Sequence, residues 1–135
     1  MKLAIIFPAY NEEQTIKEVV ESFYNKYPHA YFYVIDNNSC DKTNEIAKET
    51  FKKLNCKGAI LTESAQGKGN ALRRAFLEIN ADIYVTVDAD LTYSVSDLPE
   101  LLEAIENNQY DMIMCTKKSF SFYLIINMFG NTPSN

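Results

Sequence analysis

Five short runs rich in β-branched and aromatic residues alternate with segments of helical spacing, and this rhythm limits the possible folds more than any other feature. The strand-like runs are Leu3 to Phe7, Tyr31 to Asp36, Ala59 to Leu61, Ile83 to Asp88 and Asp111 to Cys115. Between them, apolar residues recur three and four apart. The stripes are Ile16, Val19, Val20 and Phe23; Ile46, Ala47, Phe51 and Leu54; Ala71, Leu72, Ala75, Phe76 and Ile79; and Leu98, Leu101, Leu102 and Ile105. Asn11 before Glu12-Glu13, Asp41, and Ser96 with Asp97 and Pro99 read as helix starts, since such residues satisfy or complement first-turn amides. Strands apolar on both faces, in the order βαβαβαβαβ, predict an α/β fold: a mainly parallel sheet flanked by helices and joined by right-handed crossovers.

A chain of 135 residues suits one such core, and 47% hydrophobic residues are enough to bury one. The net charge of −5, with no extended basic cluster, argues against a nucleic-acid surface. Cys40, Cys56 and Cys115 are odd in number and widely spaced, which fits reduced thiols in a cytoplasmic protein. The run Leu3 to Phe7 is too short for a signal peptide and is stopped by Pro8. No run approaches the ~20 apolar residues of a membrane span.

In open parallel sheets ligands bind beyond the carboxyl ends of the strands, so the loops following the strands share one rim. Those loops hold the unusual polar residues. Asp88-Ala-Asp90 follows the most apolar strand, and two carboxylates at a strand end can approach a common point. Held together they repel unless a cation lies between them, and oxygen donors of this kind suit Mg²⁺ or Mn²⁺. A pair of solvated loop aspartates is the alternative. Asp36, with Asn37, Asn38 and Ser39, reads either as a turn and helix cap or as an acceptor for a nucleobase or ribose. Gln66-Gly67-Lys68-Gly69-Asn70 opens a helix, where dipole, amides and one lysine favour a phosphate, although a flexible turn fits equally well. It matches neither the Walker A nor the G-x-G-x-x-G pattern. His29, the only histidine, falls at the opposite rim, so no Ser/His/Asp or Cys/His nucleophile can be assembled around it.

Pro8-Ala-Tyr-Asn-Glu-Glu13, Ile35-Asp-Asn-Asn-Ser-Cys-Asp-Lys-Thr43, Gly67-Lys-Gly-Asn-Ala71 and Asp88-Ala-Asp-Leu-Thr-Tyr93, in this order, resemble the family-2 glycosyltransferases of the Rossmann-like GT-A fold, in the style of the dolichyl-phosphate mannose synthase branch. The resemblance covers residues 2 to 117. It implies inverting, metal-dependent transfer of a sugar from a UDP- or GDP-linked donor to a polyprenyl phosphate or glycan of the cell envelope, with Mg²⁺ or Mn²⁺ as cofactor. By position, Pro8, Tyr10 and Glu12 would line base and ribose, Asp36 would hold the base, and Lys68 would contact a phosphate. Asp88 would sit near the ribose or the metal, and Asp90 would be the main metal ligand of a D-x-D motif. Thr92 and Lys117 stand where relatives place further metal or diphosphate contacts, with Lys117 replacing a common arginine. Asn37 replaces the second aspartate of the family's D-D-G-S pattern.

The resemblance places a nucleotide-sugar domain at residues 1–117 and an apolar tail at 118–135, the start of an acceptor or membrane-proximal region. The catalytic base, where one exists, is expected beyond Asn135. The run Phe120 to Phe129 reads as an interfacial helix or as core surface left uncovered, with peripheral membrane contact or self-association as the consequence. Placement in the cytoplasm, at the inner face of the membrane, is the matching expectation. A nucleotide-binding module without transfer and a sugar nucleotidyltransferase are the alternatives. The second normally carries a Gly-rich basic loop near its start, which Pro8 to Glu12 does not supply.

Overall fold

The computed structural model describes residues 2–91, 95–107, 111–118 and 121–127, with side chains described as far as 112. The elements run β1 (Leu3–Ala9), α1 (Ile16–Lys26), β2 (Tyr31–Asp36), α2 (Thr43–Leu54), β3 (Lys57–Thr62), α3 (Lys68–Glu78), β4 (Ile83–Val87), a single 3-10 turn (Val95–Asp97), α4 (Leu98–Asn107), β5 (Met112–Lys118) and β6 (Ser121–Asn127). They form one six-stranded sheet in the order β3-β2-β1-β4-β6-β5. The first four strands in that order are mutually parallel, and β6 runs antiparallel to both β4 and β5. The expected α/β architecture of alternating units on a mainly parallel sheet is what the chain adopts.

The helices bury most of the stripes their sequence announces, although Phe76 of α3 stays 37% exposed. Ile16, Val19, Val20 and Phe23 of α1 and Ala47 and Phe51 of α2 pack with Ile5, Phe7, Phe32, Val34 and Val85 on one face of the sheet. Leu98 and Ile105 of α4 join the same cluster. At its centre the Phe7 ring meets Phe23 edge-on at 5.5 Å and stacks with Phe32 at 6.4 Å. The other face is thinner: α3 presents Ala71 and Ala75 to Ala4, Ile6, Ile35 and Tyr84. Small residues let that helix lie close to the sheet, and the Tyr84 hydroxyl secures its exit by donating to the Ile79 carbonyl and accepting from the Ala81 amide.

Several local readings need correction. Strand β1 does not stop at Pro8 but continues to Ala9. The Asn37 amide donates to the Ala9 carbonyl, which turns the polar backbone groups of Ala9 toward β2 and those of Pro8 toward β4. The β1–β4 ladder has already ended at Ile6↔Thr86, so the missing N–H of Pro8 interrupts nothing. Helix α1 starts at Ile16, with Thr15 as its N-cap, and not after Asn11, where the chain takes a left-handed φ of 52° and turns before the helix begins. Asp41 does act at the start of α2, its carboxylate accepting from the Thr43 amide. The interfacial-helix reading of 120–129 fails for Ser121–Asn127, whose backbone is strand β6, inserted between β4 and β5. Residues 120, 128 and 129 lie outside the described residues. Among the described residues no helix is long and apolar enough to cross a membrane.

Gly58 in β3 has φ +120°, and a Cβ there would lie 1.8 Å from the Phe32 carbonyl oxygen. Neither the backbone angle nor the gap tolerates a side chain. Gly58→Ala is expected to destabilise the fold by about 3 kcal/mol, measured by urea unfolding.

Candidate functional site

The first three strands step outward from β1 to β2 to β3, and then the chain returns across the opposite face through α3 to place β4 on the other side of β1. At such a reversal the loops after the two central strands diverge and leave a crevice at their carboxyl ends. Here the crevice is a cavity of about 250 Å³. Pro8 and Tyr10 from the end of β1, Glu12 from the following loop, Asp88 and Asp90 from the loop after β4, and Lys68 from the start of α3 all line it. The structure thus gathers six of the residues singled out in the sequence.

Hydrogen bonds between the loops hold the cavity's walls. The Asn11 amide donates to Ser39 Oγ at 2.9 Å, the Asn11 side-chain oxygen accepts from the Cys40 amide at 2.8 Å, and the Glu12 amide donates to Thr43 Oγ1 at 2.8 Å. These bonds fasten the β1–α1 loop to the loop after β2. On the other side the Thr15 hydroxyl donates to the Ala89 carbonyl and lies 3.2 Å from Glu12 Oε2. Thr15 therefore ties the acidic β4 loop to the loop that carries Glu12. Directly after Asp90, Leu91 takes a left-handed φ of 64°, a conformation that costs a branched residue of order 1 kcal/mol and turns the chain sharply at the rim.

The electrostatics of the cavity are uneven. Burial raises the Glu12 pKa; the Thr15 hydrogen bond opposes this, while the charges of Asp90, Asp88 and Asp41 push it further up. Asp88 is relieved by Lys68, whose Nζ lies 2.5 Å from Asp88 Oδ1. Burial acts to raise the pKa of neighbouring Asp41, but hydrogen bonds from the Thr43 hydroxyl and from the Thr43 and Glu13 amides outweigh it and bring the pKa down. The arrangement is three carboxylates and one ammonium around a hollow that a small cation and an anionic group could share. Among the described residues no group of three or more His, Cys, Asp or Glu side chains is arranged to hold a metal ion unaided.

Asp36 lies apart from this cavity. It is buried, its carboxylate accepts from the Ser39 amide at 3.1 Å and from Asn44 Nδ2 at 3.0 Å, and it lines a neighbouring hollow of about 270 Å³ with Asn38, Thr62 and Glu63. Its observed work is to shape the turn after β2. Lys117 lies on β5, with its side chain outside the described residues, as is all of Thr92. Sequence reasoning underweighted Asn37, which lines the main cavity. It also passed over Thr15, whose place three residues after Glu12 was the available signal.

Among the described residues, no cysteine lines the cavity. Cys40 and Cys56 are free thiols, and burial pushes the Cys56 pKa up to about 11, well into the unreactive range.

Because the Glu12 pKa is raised in the folded state, ionising this carboxyl costs the fold stability at alkaline pH, and the cost vanishes below its ordinary value near 4.5. Glu12→Gln is therefore expected to raise Tm at pH 8, with the gap from wild type closing as the pH falls toward 4.5, followed by circular dichroism melting.

Protein RfbJ of Shigella flexneri is 40% identical over 113 residues, covering 83% of this chain and 82% of that protein. A dolichol-phosphate mannosyltransferase of Pyrococcus furiosus is 34% identical over 109 residues, covering 79% of this chain and 31% of that protein, so the chain spans about a third of its length. Among solved structures, the mannosyltransferase PcManGT from Pyrobaculum calidifontis, in complex with GDP-Man and Mn2+, superposes over 93% of this chain and 44% of its own, with a TM-score of 0.79 and 20% identity. S. aureus TarS 1-349 superposes over 87% of this chain and 36% of its own, with a TM-score of 0.71 and 21% identity. These two likenesses establish the fold as that of GT-A glycosyltransferases. Residues 4–122 match the sequence family described as Glycosyl transferase family 2, and with nearly nine-tenths of its length inside that match, the chain belongs to this family.

Proposed function

We propose that this chain binds a nucleoside diphosphate sugar, UDP- or GDP-linked, and serves the inverting transfer of the sugar to an acceptor hydroxyl or phosphate. The observation that carries the reading is the meeting of Glu12, Lys68, Asp88 and Asp90 around one cavity at the strand-order reversal. Several relatives are named for transfer to polyprenyl phosphates, including a dolichol-phosphate mannosyltransferase and an undecaprenyl-phosphate 4-deoxy-4-formamido-L-arabinose transferase. A lipid phosphate at the inner face of the cytoplasmic membrane is therefore the acceptor we favour.

The cavity's donors fit a divalent cation. Asp88 and Asp90 offer hard oxygen ligands, and Glu12, whose pKa is raised by burial first and by the charges of Asp90 and Asp88 next, stands beside them. Too few carboxylates converge to enclose an ion completely, which is the situation in which Mg²⁺ or Mn²⁺ takes its remaining ligands from water and substrate phosphates. Asp90 and Asp88 would hold the ion, and once bound it would supply Lewis-acid stabilisation to the departing diphosphate. A neighbour solved with GDP-Man and Mn2+ agrees with this choice.

The chain's own residues account for the rest. Negative charge grows on the nucleoside diphosphate as the glycosidic bond breaks, and Lys68, at the positive end of the α3 dipole, is placed to stabilise it. Tyr10, 46% exposed at the cavity wall, offers a flat apolar surface to the nucleoside, and Pro8 stiffens the backbone beneath it. Asp36, in the adjoining hollow, keeps unused lone pairs with which to accept from a base. An ionised lipid phosphate would attack without a general base, so the four loops would need to supply only binding and charge stabilisation.

Isothermal titration with UDP and with GDP, each with and without Mn²⁺, tests this reading. One nucleotide should bind, and Mn²⁺ should strengthen its binding at least about tenfold (~1.4 kcal/mol). Asp90→Ala should remove that enhancement while leaving the metal-free affinity nearly unchanged. An undiminished Mn²⁺ effect in this variant would contradict the ligand assignment, and no binding of either nucleotide would contradict the function.

A further inference from the structure

We propose that Asn37 is a positioning residue for the diphosphate end of the cavity, acting through the 63–67 loop on Lys68; the inference rests on the nucleotide-binding reading above. Asn37 directly follows β2 and is 5% exposed. Its side-chain amide makes three hydrogen bonds, all to the loop between β3 and α3. Nδ2 donates to the Glu63 carbonyl at 3.0 Å and to the Ala65 carbonyl at 2.9 Å, and Oδ1 accepts from the Gly67 amide at 2.9 Å. Both amide protons and one oxygen lone pair are used, and the pattern admits a single orientation of the group.

A carboxylate, which the family pattern carries at this position, would not meet these three partners as the amide does. Aspartate at this position would keep the Gly67 bond but would hold an unprotonated oxygen against two carbonyl oxygens, at a largely buried place on the cavity wall. The other tethers of the loop tip are weaker. Asn38 Nδ2 donates to the Ser64 carbonyl at 3.5 Å and Gln66 Nε2 to the Asn38 carbonyl at 3.4 Å, and both bonds are exposed. At the loop's start the Glu63 carboxylate holds the Ala65 amide and Arg74, and it loses its proton more readily for that reason. These bonds fix the loop's entry; at its exit Asn37 holds the Gly67 amide from the buried side, beside the exposed bond from Asn70 Nδ2 to the Gln66 carbonyl at 3.1 Å.

The exit matters because the residue after Gly67 is Lys68. Gly67 has φ +128°, an angle suited to glycine, so the bond from its amide to Asn37 holds the turn that sets where α3 begins. From that origin Lys68 spans the cavity to within 2.5 Å of Asp88 on the far wall. One buried amide therefore links the end of β2 to the position of the cavity's lysine. Without it the ammonium would still be present but no longer aimed, and a charge displaced by an ångström or more loses much of its hold on a phosphate.

The test compares wild type, Asn37→Asp, Asn37→Ser, Lys68→Met and Asn37→Asp/Lys68→Met by titration with UDP and GDP in Mn²⁺. Amide hydrogen exchange is read alongside at residues 64–67 and in β1. Asn37→Asp should weaken binding of the preferred nucleotide at least about tenfold, and Asn37→Ser, which keeps one donor, should weaken it less. Exchange at 64–67 should accelerate in both while β1 stays protected, a pattern that general destabilisation would not give. The double variant should bind no more weakly than the weaker single one, because both act through the same lysine. The proposal is overturned if Asn37→Asp binds as wild type does, or if the two losses add in full. Should Asn37→Asp fail to fold, Asn37→Ser with unaltered exchange at 64–67 overturns it equally. Wild type that binds neither nucleotide would refute the nucleotide-binding reading itself, a result distinct from either of these.

Discussion

Strand β1 lies at the centre of the parallel part of the sheet, with β2 on one side and β4 on the other, and the chain reaches those two neighbours over opposite faces. The polar chemistry of the molecule depends on that reversal. Had β4 continued outward beyond β3, the loop bearing Asp88 and Asp90 would have lain three strands from Pro8, Tyr10 and Glu12. Instead the register Leu3↔Ile83 to Ile6↔Thr86 brings the end of β4 within two residues of the end of β1, and both loops open on the same crevice. The thin Ala71–Ala75 contact of α3 completes the arrangement, because a helix lying close to the sheet carries Lys68 across to the acidic wall.

The cavity is a place where charge opposes stability. Glu12 resists ionisation because burial and the neighbouring aspartates oppose it, and Lys68 pairs with one of those aspartates, Asp88. A fold tolerates such a cluster when interactions elsewhere secure the walls, and here the bonds Asn11–Ser39, Glu12–Thr43 and Thr15–Ala89 do so. The aromatic centre formed by Phe7, Phe23 and Phe32 supplies the packing beneath them. The same charges that weaken the unliganded protein make it receptive to a cation with a diphosphate, since the pair would neutralise carboxylates and ammonium at once. That is the physical content of the proposed donor site.

Much of this was legible in the sequence because the signals were periodic. Tyr31–Asp36 was bounded correctly by its apolar run, and the four helical stripes named most of the residues that the helices bury. Where reading failed, the deciding term was tertiary. Pro8 looked like a strand end because a missing N–H is costly only where a ladder bond is due, and none is due there. Strand β6 escaped notice because the link from Lys118 to Ser121 carries no Gly, Asn or Pro, although Phe122 to Ile126 has the aromatic and β-branched content of a strand. Asp36 was legible as a polar strand end, but its partners Ser39 and Asn44 were visible only in three dimensions. The amide of Asn37 was hidden for the same reason, since its three partners lie 26 to 30 residues away along the chain.

The central claim is that the carboxylates at the β1–β4 crevice receive a divalent ion together with a nucleoside diphosphate. Paramagnetic broadening tests it most directly: substoichiometric Mn²⁺ is added to ¹⁵N-labelled protein in the presence of UDP or GDP, and the amide signals that vanish first are mapped. The account predicts that Glu12, Asp88, Ala89 and Asp90 disappear first, with signals fading outward from the crevice. Initial loss at the opposite rim, around Lys2 and His29, or a uniform decline across the sheet, would contradict it.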